Sequence, residues 1–112
     1  MADRYRQADL ELAVRDVTFM DRIERRWARD QEGVVVVEVE PGSWAHLAGL
    51  RLGDLLLEVA GLPVDDVDAF RAVLDRVVAR RPEVIPVFLR RGSRTHFVFI
   101  ETQETPAVPP AR

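Results

Sequence analysis

Few residues in this sequence could do covalent or metal chemistry. Among its 112 residues there is no cysteine, and the two histidines are His46 and His96. Without cysteine there is no disulfide framework, no thiolate nucleophile and no cysteine-ligated zinc. A serine nucleophile needs a base within hydrogen-bond reach and a third group orienting that base. The serines present, Ser43 and Ser93, read instead as a helix cap and a turn residue. The histidines lie far apart and belong to no HExxH-type motif, so metal ligation is not expected either. Asp65, Asp66 and Asp68 crowd together, but they lack the alternating ligands and central glycine of a calcium loop. They fit the negative charge favoured at a helix N-terminus. Gly42, Gly49 and Gly53 stand singly, which excludes a glycine-rich phosphate loop. The expectation is a chain that is not itself an enzyme and uses no metal or cofactor.

Composition narrows the alternatives. Hydrophobic residues make up 47% and charged residues 31%, a globular balance with material for one core. The formal net charge is −3, and all 16 basic residues are arginine against 19 acidic ones. A nucleic-acid binder normally carries a basic surplus, so no nucleic-acid partner is expected. No apolar run approaches the roughly 18 residues of a membrane span, and the first residues lack a signal-peptide core.

The elements that must position any site follow from patterning. Residues 1–9 are polar and read as a flexible, loosely attached segment. Leu10–Val17 alternates as a short strand, with Leu12 and Val14 on one face. Thr18 followed by Asp21 predicts a capped helix over 19–29, with Met20, Ile23 and Trp27 on its apolar side. The arginines from Arg22 to Arg29 alternate with Asp21, Glu24 and Asp30, as on a solvated helix face. Val34–Val39 is the strongest strand in the chain. Ser43 caps a one-turn helix stopped by Gly49, and Leu55–Val59 is the next strand. Asp65 or Asp66 then caps a helix reaching about Arg80. One flank of its broad apolar arc holds Val67, Leu74 and Val78, with Arg71 beside them; the other holds Phe70, Val73 and Val77. Pro82 ends that helix. Val84–Leu89 is a strand whose Pro86 needs an edge or bulge position. Arg91-Gly92-Ser93 turns into a return strand, Thr95–Glu101. Residues 103–112 are proline-rich and read as a tail or linker. The fold class is α+β, with a partly open sheet of about five to six strands.

One stretch carries a specific signal. From Gly33 to Val64 the sequence runs GVVVVEVEPGSWAHLAGLRLGDLLLEVAGLPV. Pro41-Gly42-Ser43, Ala45, Ala48-Gly49-Leu50, Gly53-Asp54 and Gly61-x-Pro63-Val64 fall in register with the central signature of PDZ domains. The resemblance covers residues 10–102. The element order is similar to the bacterial HtrA/Deg type, in which the domain opens with its carboxylate-binding loop. Here Glu11-Leu12-Ala13-Val14 stands in that loop's place, with Ala13 where the family has glycine.

That resemblance implies an extended C-terminal peptide adding as a strand beside β-residues Arg15, Asp16 and Val17. Its terminal carboxylate would meet the N–H groups around Leu12, Ala13 and Val14. Its last apolar side chain would enter a pocket lined by Leu12, Val14, Leu74 and Val78, with Val67 and Arg71 facing the peptide farther along. The implied function is a regulatory or substrate-recognition domain of an HtrA-like serine protease in an extracytoplasmic compartment, with any homo-oligomer formed through the parent protein. An alternative is an assembly element whose groove holds its own or a neighbouring chain; the proline-rich ending is the candidate strand.

Overall fold

A computed structural model describes residues 4–102. The elements are β1 (Arg4–Gln7), β2 (Leu12–Asp16), α1 (Phe19–Glu24), β3 (Val34–Val39), α2 (Trp44–Ala48), β4 (Leu55–Val59), β5 (Leu62–Pro63), α3 (Val67–Ala79), β6 (Val84–Arg91) and β7 (Arg94–Glu101). All strand pairs are antiparallel. The sheet runs β1-β2-β3-β4-β6-β7, with β5 paired to β4. This is the expected α+β class, with seven strands instead of five or six.

The two faces of the sheet explain the valine run of β3. Val34 and Val36 join the main core, where α3 lays Val67, Phe70, Val73, Leu74 and Val77 against Val14, Leu56, Ile85 and Ile100. Val35 points the other way, into a small cluster with Trp27 and Leu55. A strand buried on both faces has no use for alternation, so it reads as continuous hydrophobicity.

Turn chemistry fixes the elements between. Thr18 and Asp21 form a reciprocal capping box: Thr18 Oγ1 accepts from Asp21 N–H at 3.1 Å, and Asp21 accepts from Thr18 N–H at 2.8 Å. The helix they start is shorter than the periodicity predicts. It ends at Glu24, and the chain reverses at Arg26 (φ 57°). Trp27 thereby leaves the helix for the second cluster, while Phe19, Met20 and Ile23 remain exposed. Ser43 Oγ accepts from His46 N–H at 3.1 Å, and Gly49 ends α2 with φ 99°. Gly33 is required for space as well as angle. A Cβ there would sit 2.7 Å from the Leu56 carbonyl oxygen.

The Gly53-Asp54 turn has a further purpose. Asp54 is buried and receives both arms of Arg91 at 2.8 and 2.7 Å. Arg91 also donates to the Gly49 carbonyl at 2.9 Å. One guanidinium thus ties the β6–β7 hairpin to the end of α2 and to the turn before β4. Pro86 lies one residue past the β4–β6 ladder, where its side of the strand needs no donor.

One expectation is overturned. Arg4–Gln7, read as loosely attached, is a strand, β1, paired to β2. The strand signal was hidden because only two of its four side chains turn inward and one of those is polar. The proline-rich residues 103–112 lie outside the described residues.

Candidate functional site

β2 is the strand on which the expected site depends, and both of its sides are occupied. On one side it pairs with β3, with a register shift between Ala13 and Val14. On the other it pairs with β1, in the register Arg4↔Arg15, Tyr5↔Val14, Arg6↔Ala13 and Gln7↔Leu12. The edge expected to be free is therefore covered from Leu12 to Arg15.

β1 lies in the cleft between β2 and α3. Its burial alternates, with Tyr5 and Gln7 turned inward and Arg4 and Arg6 outward. The Tyr5 ring meets Phe70 of α3 edge-on, centroids 6.0 Å apart, and the Arg71 guanidinium sits 4.8 Å above it. Partial burial raises the Tyr5 hydroxyl pKa, with Asp75 adding to the effect. Gln7 is 3% exposed. Its side-chain oxygen accepts from Leu10 N–H at 3.0 Å, and its main-chain oxygen from Glu11 N–H at 2.8 Å. Two successive N–H groups are therefore aimed at the end of β1. Glu11 adopts φ 57° to present its own.

The remaining site residues divide sharply. Leu12 and Val14 are buried in the core with Val67 and Leu74, and Ala13 is buried where β2 pairs with β1 and β3. Arg71 is exposed and stacks on Tyr5 as an edge of the groove. Three side chains expected beside a peptide have other work. Arg15 grips Asp21 of α1 at 2.6 and 2.9 Å. These bonds hold the Asp21 carboxyl far below the ordinary carboxylate range and raise the Arg15 pKa. Asp16 accepts from Val67 N–H at 2.7 Å, fastening β2 to the first turn of α3. Val17 packs with Trp27 and Val35 on the opposite side of the sheet. The side chains of Arg15 and Asp16 thus fasten β2 to α1 and α3.

Val78 is half-buried against the core cluster that includes Leu12, Val14 and Leu74. It borders a separate cleft of about 830 Å³ at the end of the groove, with Asp9, Leu10, Trp44 and Ile85. Two residues that sequence reasoning missed are Tyr5 and Gln7; the alternation in Arg4-Tyr5-Arg6-Gln7 was the available signal. Phe70, placed on the sheet-facing flank, also touches the occupant of the groove.

Among the described residues, no three His, Asp or Glu side chains converge as metal ligands. His46 Nδ1 accepts from the Gly42 N–H at 3.0 Å, which fixes the loop before α2. Among these residues, no helix is long and apolar enough to cross a membrane.

The comparison with known proteins agrees with this architecture. The model of the PDZ domain family matches residues 35–87. Serine endoprotease DegS of Salmonella typhimurium is 38% identical over 77 residues, which are 68% of this chain and 21% of that protein. The chain belongs to the PDZ family, in its HtrA form. The PDZ domain spans only 16–21% of the length of the curated relatives it matches. Among solved structures, the HtrA3 PDZ domain bound to the phage-derived ligand FGRWV superposes with a TM-score of 0.64 at 23% identity, covering 90% of this chain and 88% of that one. The HtrA-type protease AlgW with a decapeptide gives 0.66 at 23% identity, covering 87% and 28%. These two likenesses establish the shared fold. The expected HtrA-type PDZ architecture is therefore correct, and this chain is a PDZ domain and not a protease domain.

Proposed function

We propose that this PDZ domain recognises an extended C-terminal peptide by strand addition to β2, as the regulatory or substrate-recognition arm of an HtrA-like serine protease. The observation that carries the reading is the manner in which the cleft holds β1. An extended segment runs antiparallel to β2 and turns alternate side chains toward α3. That is how a peptide gains main-chain bonds from a sheet edge and side-chain selectivity from the pockets beside it. The N–H groups of Leu10 and Glu11, which meet two oxygens of Gln7, support placing a terminal carboxylate at the same end. In this arrangement the donors are Leu10 and Glu11, and Leu12, Ala13 and Val14 follow them in β2, paired to β1 and β3.

The HtrA3 domain and AlgW are each described with a peptide, which supports the class of partner. The extracytoplasmic setting and the attached protease domain belong to the same proposal. Titrating the domain with FGRWV and with a pool of decapeptides ending in Val, Leu, Ile or Phe tests it. Binding on the order of micromolar that disappears when the terminus is amidated is expected. Equal binding by amidated peptides refutes carboxylate recognition, and no binding by any of them refutes the peptide-binding role.

A second reading is favoured by β1 itself. The groove of an assembly element holds its own chain permanently, and here the occupant would be Arg4–Gln7 and not the proline-rich ending. Under that reading no peptide enters, and the same titration is flat.

A further inference from the structure

We propose that β1 is a removable plug: an internal strand that closes the β2–α3 groove and must leave before a partner strand can enter. The inference rests on the peptide-binding reading and adds its regulation. β1 is an edge strand of four residues, and its outward Arg4 and Arg6 are exposed. Its hold on the groove comes from the ladder with β2 and from two inward side chains. Tyr5 is the firm one, edge-on to Phe70 and beneath Arg71. Gln7 is the weak one, a buried amide whose side-chain bonds go to Leu10 N–H and Asp9 within its own turn. A competing strand regains the ladder in full, so side chains decide the exchange. An apolar residue in place of Gln7 enters the pocket without an amide to desolvate.

The turn over residues 8–11 supports reversibility as well. It is short, so the plug acts at an effective concentration on the order of millimolar. It also places Glu11 at φ 57°, a left-handed conformation uncommon for a residue with a Cβ. The same φ aims the Glu11 N–H at the end of the groove, where an entering strand would meet it. Because a partner binds only the open fraction, its apparent affinity falls in proportion to the closed population.

A reversible lock tests this. The chain has no cysteine, and Arg6 faces Ala13 across the β1–β2 pair, a spacing a disulfide can bridge. Fluorescently labelled FGRWV is titrated against wild type, Tyr5→Ala, and the Arg6→Cys/Ala13→Cys variant, oxidised and reduced. Mass spectrometry scores the disulfide. Tyr5→Ala is expected to bind on the order of tenfold tighter than wild type. The oxidised double variant is expected to bind at least about tenfold more weakly than when reduced. If the oxidised and reduced forms bind equally, or Tyr5→Ala gains nothing, the plug is refuted and the peptide-binding reading survives. If no form binds, including Tyr5→Ala, that reading fails and takes the plug with it.

Discussion

The two outer strands of the sheet, β1 and β7, are held in opposite ways. β7 pairs with β6 over eight residues, from Arg94 to Glu101. It sends Ile100 into the main core, and Arg91 clamps its hairpin to Asp54 and Gly49. β1 pairs over four residues, puts a half-buried Tyr5 against α3, turns the Gln7 amide into its own turn, and has a half-exposed Arg6–Glu38 contact at 3.4 Å. An edge strand is permanent when its side chains complete the core. It is exchangeable when it only borrows the ladder. The fold can therefore lose β1 and remain folded, whereas losing β7 would open the core.

The largest expected effect tests that contrast at its permanent end. Ile100→Ala removes a side chain that is 1% exposed in the core and should cost about 3 kcal/mol. Urea denaturation should show a lower midpoint with an unchanged slope. A loss below about 1 kcal/mol would mean that β7 is as dispensable as β1.

Acid probes the platform that β1, or any partner, must use. Arg15 keeps Asp21 ionised by gripping its carboxylate, well below the pKa of a free carboxylate. Because the folded-state value is depressed, the stabilisation is complete above the unfolded value, near pH 4. It is lost as the pH falls below that. Hydrogen exchange should accordingly show α1 and β2 losing protection in acid before β6 and β7. Asp21→Asn should remove that acid-dependent difference and cost about 1–2 kcal/mol at neutral pH, since it weakens both the ion pair and the Thr18 cap. Uniform loss of protection across the sheet would contradict this order.

What was legible in the sequence follows the same division. Thr18 and Asp21, Ser43 and Gly49, and the Gly53-Asp54 turn act on neighbours within a few residues, so their types and spacing announced them. Val34–Val39 was legible because burial on both faces leaves an unbroken run. β1 was not, since Arg4-Tyr5-Arg6-Gln7 becomes a strand only through a partner that supplies its hydrogen bonds. The roles of Arg15 and Asp16 were hidden for a related reason. Side chains that fasten one element to another look, in sequence, like side chains facing a ligand. Leu74, expected to line the pocket, is fully buried with β1 in the groove.

At the exchangeable end, Tyr5→Ala should lower overall stability by only about 1 kcal/mol, the scale of one aromatic pair and one exposed cation–π contact. Amides of Arg4–Gln7 should exchange faster while those of β3 and β4 are unchanged. A global drop comparable with that of Ile100→Ala would make β1 part of the core and erase the difference between the edges.

The smallest effect is the most discriminating about what holds β1 in place. Arg6 and Glu38 carry side chains 46% and 51% exposed, so water screens the pair and their attraction is offset by lost side-chain freedom. Arg6→Ala should change stability by no more than about 0.3 kcal/mol and leave hydrogen exchange in β1 unaltered. A clear rise in β1 exchange, reproduced in the wild type by added salt, would show that charge and not Tyr5 secures the strand. The contrast between the two edges would then be electrostatic, and β1 release would depend on ionic strength.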